Sequence, residues 1–328
     1  MQITELRKRT AAALVEFAWD EWAQLGVFAA ARRSDGWSQD PEALLVFTLH
    51  VARHDPRLFD EVLDWLRLNG DQLSGRRLSR LCLHDDERAL VGAATEWAAR
   101  HGSPLRLGRA PDATGDPQPL FPGLRTPTRT DDVFRRHGFL KAPTQPTLRS
   151  ARPDPALPIN LAFRLRLLFG VGARAEAIRF LLTSGLPRAS TQAIADAAVS
   201  VKRNVNEALL DLVASGQVSR HVAGNVAWYA IDRRRWADFL GVQELDIPAH
   251  RDWRRILRAL VEVDRFLGDP RNEQLDDYLR ASEARRLFER LEGPLAHAGI
   301  MLERTGAGEA YWHTFVAGVE QLLATLAS

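Results

Sequence analysis

The sequence predicts a mainly α, multi-domain protein with one small β-hairpin near its centre. Three observations carry that expectation. The chain has 328 residues, which at roughly 100–200 residues per domain gives two or three domains. Apolar positions recur at helical spacing through the first hundred residues and again over 249–327. Between about 217 and 231 the apolar period switches from helical to alternating.

Composition bounds the class. Hydrophobic residues make up 45% and charged residues 26%, ordinary values for a folded soluble chain. Cys82 is the single cysteine, which excludes an intramolecular disulfide framework and a cysteine-rich zinc site and fits a reducing compartment. The opening MQITELRKRT lacks the apolar stretch of a secretory signal, and no run approaches the roughly 20 apolar residues of a membrane helix. The expectation is a soluble cytoplasmic protein with no membrane partner. Net charge is +2 but unevenly spread: −3 over residues 1–100, +9 over 101–240 and −4 over 241–328. A basic excess confined to the middle is what a local polyanion site requires. Arginine supplies nearly all of it, since Lys8, Lys141 and Lys202 are the only lysines.

Residues 1–101 read as an N-terminal helical domain, with Leu14, Phe17, Ala18, Leu25 and Phe28 at helical spacing. Asp40-Pro41-Glu42 starts a helix: a capping carboxylate, a proline tolerated in the first turn, and an acid at the positive helix end. Asp55-Pro56 repeats the signal, Asn69-Gly70 closes the helix that follows, and another helix covers about 86–100. Residues 102–158 hold 11 of the 17 prolines, among them Pro111, and predict an irregular basic connector. A short helix near Asp131–His137 interrupts it, and its length points to wrapping over neighbouring domains. Residues 241–328 return to helices at about 250–267, 271–292 and 309–326, forming a C-terminal helical domain.

The segment 159–240 is the most specific. INLAFRLRLLFGV, over 159–171, reads as a lead-in helix. Residues 172–184 then place Ala177, Ile178, Leu181 and Leu182 on one helical face, and Gly185-Leu186-Pro187 stops that helix. Ser190 or Thr191 caps a short helix that buries Ile194 and Ala198. After a tight turn, Ser200 caps a longer helix beginning Val201-Lys202-Arg203-Asn204-Val205. Val205, Leu209, Leu212 and Val213 face inward, and Ser215-Gly216 ends it. Two alternating runs, Gln217–Val222 and Val226–Ile231, flank Ala223-Gly224-Asn225 as a hairpin. Asp232 caps a final helix beginning Arg233-Arg234-Arg235-Trp236.

This order, together with the pattern T-x-x-I-A-x-x-A-x-V-S-x-x-x-V-x-x-x-L-x-x-L, resembles the winged helix-turn-helix superfamily of transcription regulators. The resemblance covers about 172–240. It implies a central winged domain whose longer helix, starting near Ser200, enters the DNA major groove with its leading residues on base edges. Carried onto this chain, the implied DNA contacts are Thr191, Ser200, Lys202, Arg203, Asn204 and Asn206 around the helix start, Arg220, His221 and Asn225 on the wing, and Arg233 and Arg234 after it. Asn204 and Asn206 cannot both point straight into a groove, and Glu207 and Asp211 on the same helix would repel phosphate if they faced it. The wing is short, with few cations near its tip.

Other signals carry less. His50 and His54, four apart, could face one metal, but no third ligand is evident. Gly170-Val171-Gly172 lacks the third glycine of a dinucleotide fingerprint and follows a helix. Asp85-Asp86, Asp131-Asp132 and Asp276-Asp277 read as helix starts. Trp19 and Trp22 read as core, with a partner-helix anchor as the alternative. The arginines of 251–258 read as a solvated face, alternatively as a second phosphate contact. The expected function is a sequence-specific DNA-binding regulator, a repressor, working as a homodimer without cofactor, metal or catalysis. Three alternatives remain. The layout looks like abortive-infection antitoxins that autoregulate their operon and neutralise a nucleotidyltransferase toxin, although there the winged domain is terminal and here it is central. Winged helices also serve as protein-interaction modules without DNA. An enzyme with a dispersed active site is the third.

Overall fold

The computed structural model describes residues 1–30, 36–108, 115–303 and 305–327. Pro111, one of the connector prolines, lies outside them. The chain is mainly helical. In order it forms α1 (Ile3–Gln24), α2 (Pro41–Val51), α3 (Pro56–Asn69), α4 (Gly75–Leu81) and α5 (Asp85–Arg100). The connector holds β1 (Gln118–Pro119), α6 (Asp132–Arg136) and β2 (Phe139–Leu140). Then come α7 (Leu161–Phe169), α8 (Ala173–Thr183), β3 (Ala189–Ser190), α9 (Thr191–Ala197), α10 (Lys202–Ala214), β4 (Ser219–Ala223), β5 (Val226–Ala230) and α11 (Arg233–Leu240). The last helices are α12 (Trp253–Gly268), α13 (Pro270–Gln274), α14 (Asp277–His297) and α15 (Tyr311–Ala327). No helix among the described residues is long and apolar enough to cross a membrane.

Helix starts follow local chemistry. Asp40 accepts a hydrogen bond from the Ala43 N–H at 3.1 Å, and Asp55 from the Arg57 and Leu58 N–H groups at 2.9 and 3.2 Å, each with proline in the first turn. Asp131 and Asp232 cap α6 and α11 in the same way. The helix expected over 271–292 is instead two. α13 ends at Gln274, and Asp276 opens α14 by accepting from the Leu279 N–H at 2.7 Å.

The two terminal helical regions, read from the sequence as separate domains, bury one continuous apolar core. The reason lies in α2, all of whose residues are buried. A helix apolar on every side must be covered on every side. α1, α4 and α5 supply part of that cover, and α12 supplies more with Trp253, Ile256, Leu257 and Leu260. α14 packs on α12 and α15, and α15 packs back on α1. Trp22 is fully buried and donates to Thr48 Oγ1 at 2.7 Å, so it belongs to this core. Trp19 donates to Asp55 at 2.8 Å. The connector wraps over α3: Asp64 accepts the backbone N–H groups of Leu148, Arg149 and Ser150, each at 3.2 Å, and Lys141 pairs with Asp60 at 2.8 Å.

A second core gathers Leu165, Ile178, Leu182, Ile194, Val205, Leu209, Tyr229 and Trp236 from α7–α11 and β5. Among the described residues its sheet is three-stranded and antiparallel, in the order β3-β5-β4, where the sequence predicts only the hairpin. The hairpin turn is Gly224-Asn225, since Ala223 already pairs with Val226, and Gly224 takes the left-handed conformation (φ +58°) that such turns need. α7 serves both cores: Phe163 packs edge-on to Trp65 of the first at 6.1 Å, while Leu161 and Leu165 belong to the second.

Between the cores lies a buried ionic network. Arg77 on α4 forks onto Asp40 at 3.1 and 2.6 Å and also bonds Glu42. Arg166 on α7 bridges Glu42 at 2.8 Å and Glu176 on α8 at 2.7 Å. Arg179 holds the other Glu176 oxygen at 2.9 Å and approaches Asp40 at 3.8 Å. Three cations thus balance three anions, all buried. Burial opposes ionisation of Glu176, yet Arg179, Arg77 and Arg166 outweigh it and hold the carboxyl well below its usual range. Asp40 is lowered by the same contest, with Arg77 and Arg179 prevailing over burial.

Arg166→Met should therefore destabilise the chain by about 3–5 kcal/mol, because Glu42 and Glu176 lose their shared counterion in a dry setting; urea unfolding measures it, and a loss below about 1 kcal/mol would contradict the network's role. Glu21 gives a pH-dependent counterpart. Burial on α1 pushes its pKa up to about 7 from 4.5, partly offset by a hydrogen bond from Gln39. Between those values the folded chain keeps a proton that the unfolded chain releases, so this contribution is full below pH 4.5 and is lost as pH rises through 7. Glu21→Gln should gain stability relative to the parent over that window, on the order of 1–3 kcal/mol, with no further change above it. His250, lowered to about 4 chiefly by burial, has the opposite slope, so the difference between variant and parent is the quantity to read.

Candidate nucleic-acid interface

The candidate interface is built on α8–α10 and the three-stranded sheet. Ser190 caps α9, its hydroxyl accepting from the Ala193 N–H at 3.2 Å. Thr191 therefore falls inside the helix and is only 6% exposed. It is corrected from a surface contact to a packed residue.

The turn from α9 to α10 is tight. The Ser200 N–H reaches back to the Ala195 carbonyl at 3.0 Å, and Val199 between them sits at φ +50°. A β-branched residue in the left-handed region is rare and costs energy that surroundings must offset. Here α4 holds the turn: Arg77 Nε donates to the Ala198 carbonyl and Arg80 to the Val199 carbonyl, each at 3.0 Å. Ser200 is not the cap of α10. Val201 takes that position without a side-chain bond, because the turn uses one residue more than the sequence spacing implies.

α10 then presents Lys202 and Arg203 to solvent, with Asn204 and Asn206 half-buried and Val205, Leu209 and Leu212 in the core. The Arg203 side chain is 86% exposed and pairs with Glu207 one turn on, at 3.0 Å. Asp211 pairs with Arg174 at 2.8 Å. The acids on this helix are thus matched by cations rather than forming an acidic face. Arg220 and His221 on β4 and Asn225 in the turn are exposed. Arg234 is exposed at the start of α11, whereas Arg233 is not a free cation: its guanidinium donates to the Leu182 carbonyl and lies 3.6 Å from Glu244, tying α11 to the end of α8.

Sequence reasoning missed several residues. Arg188, just before β3, is exposed and lies over the Trp228 ring at 5.2 Å, adding a cation beside the hairpin; its position between Pro187 and a strand of two residues left no periodic signal. The arginines of 251–258 are not a plain solvated face. Arg254 and Arg255 grip Asp196 of α9 at 3.2 and 2.6 Å, Arg258 grips Glu87 at 2.8 Å, and Arg251 lies over Trp37 and Trp253. Arg255 and Arg254 also hold Asp196 below the usual carboxylate range against the opposing effect of burial. His50 and His54 do converge, but on the carboxylate of Asp264, at 2.9 and 3.4 Å, and no metal-binding cluster occurs among the described residues.

No protein family, curated protein or solved structure matches the chain.

Proposed function

We propose that the chain is a sequence-specific DNA-binding regulator whose central unit is a winged helix-turn-helix and whose α10 reads the major groove. The observation that carries this reading is the outward first turn of α10, where Lys202 and Arg203 stand clear of both cores. The order of α8, α9, α10, β4 and β5, with β3 joining the sheet, is the order such a unit requires. Arginine pairs bidentately with guanine and asparagine with adenine, each worth about 1–3 kcal/mol of base discrimination. Arg203 and Asn204 are the base-reading candidates, while Lys202, Arg188, Arg220 and Arg234 suit phosphates. Pairing of two copies would read two half-sites. The terminal helices bury most of their apolar side chains in the first core, and the exposed apolar side chains Leu167, Leu168 and Phe239 on α7 and α11, next to the central unit, are the proposed surface for it.

Sequencing the genomic fragments retained by purified protein tests the reading; retention without an enriched motif would overturn sequence-specific binding. On the recovered site, Arg203→Ala with Asn204→Ala should weaken binding about tenfold or more while leaving thermal unfolding unchanged. Glu207→Gln should strengthen it, since it frees Arg203 and removes a charge that repels phosphate. Unchanged affinity in both variants would place the contact elsewhere. Binding should also fall with salt at a log–log slope of about −3 to −4 per protomer, from about −0.9 for each of four phosphate contacts; a flat response would exclude them.

A further inference from the structure

A cavity of about 300 Å³ opens where α9, α4 and α12 meet, beside the turn that precedes α10. Its floor is apolar: Val46 and Phe47 of α2 with Leu257 and Val261 of α12. Val199, the strained residue of the turn, forms part of its wall. Around this floor stand Arg80, Arg254, Arg255 and Arg258, with Asp196 the lone acid among the lining residues. Small-molecule sites pair an apolar surface with a few fixed polar groups in this way. We infer that this cavity binds a small amphipathic carboxylate, with an apolar body on the order of ten heavy atoms against the floor and its anionic head on Arg254 and Arg255.

The size follows from about 30 Å³ per water-sized group. The charge follows from the lining. Arg258 is committed to Glu87 by two hydrogen bonds and stays there. Arg254 and one terminal nitrogen of Arg255 are held on this side by Asp196, whose side chain is 45% exposed, while the other terminal nitrogen of Arg255 stays on Asp252 at the start of α12. A partly exposed ion pair contributes only about 0–1 kcal/mol, so a ligand carboxylate can take over the guanidinium nitrogens that Asp196 now holds, Arg254 foremost, while Asp196 rehydrates. Among the described residues Arg80 donates to the Val199 carbonyl and pairs with no carboxylate, which leaves further positive charge at the mouth. Because Asp196 belongs to α9, occupancy would exchange a bond between the α9–α10 unit and the helical body for a bond to the ligand. The consequence for α10 rests on the DNA-binding reading; the binding itself does not.

Calorimetric titration of the full chain with decanoate, and with decanol as the uncharged control, tests the inference in the absence of DNA. Decanoate should saturate one site per chain and bind at least tenfold more tightly than decanol. Asp196→Asn should raise decanoate affinity about threefold or more by removing the competing carboxylate, a gain that a purely structural role for Asp196 would not produce. Leu83→Glu, at a lining residue 61% exposed, should lower it about tenfold without changing thermal unfolding. Absence of saturation, equal binding of decanol, or indifference to both substitutions would overturn the proposal. These titrations contain no DNA, so their failure is a separate result from failure to retain a DNA motif.

Discussion

The contest between charge desolvation and charge pairing at Asp40, Glu42, Arg77, Arg166, Glu176 and Arg179 governs how the rest of the molecule is assembled. Each of these ions is costly to bury alone, and the set is tolerable only when all six meet with their oxygens and nitrogens opposed. Glu42 and Asp40 come from the start of α2, Arg77 from α4, Arg166 from α7, and Glu176 and Arg179 from α8. An apolar contact of similar area tolerates sliding. Forked guanidinium bonds do not, because their geometry fixes both distance and direction. The network therefore sets the register between the two apolar cores as well as joining them.

That register reaches the outer surface through one residue. Arg77 is bonded to Asp40 and Glu42 with its terminal nitrogens and to the Ala198 carbonyl with Nε. The same guanidinium thus balances charge inside and fixes the turn that aims α10. Arg80 adds a second bond to that turn, and Arg254 and Arg255 brace α9 from the opposite helix. The unfavourable backbone of Val199 persists because its neighbours are tied on several sides. The α9–α10 hinge is consequently the point where the helical body and the outward helix are mechanically closest.

What was legible in the sequence was local. Asp40, Asp55, Asp131 and Asp232 announce helix starts because a cap bonds to amides two or three residues away. The inward positions Val205, Leu209 and Leu212 follow from a period within one helix, and the hairpin from an alternation around Gly224. What was not legible depends on chain-distant partners. Thr191 and Ser190 carry equivalent capping chemistry, and packing decides between them. Arg233 and Arg234 are identical neighbours, yet one reaches the Leu182 carbonyl and the other faces solvent. Glu42 reads as an ordinary first-turn acid until Arg77 and Arg166 arrive from 35 and 124 residues away. The arginines of α12 look solvated until Asp196 and Glu87 are brought beside them.

The covering of α2 by α12 also has a consequence for the order of events at the ribosome. The second core draws on one uninterrupted stretch, from Leu161 to Ile247, and can close as soon as that stretch has emerged. The first core cannot. One side of α2 waits for a helix made about two hundred residues later, and long-range closure of this kind slows folding. During synthesis the helices around α2 therefore remain adhesive while a later unit is already complete, a window in which chaperones have a surface to hold.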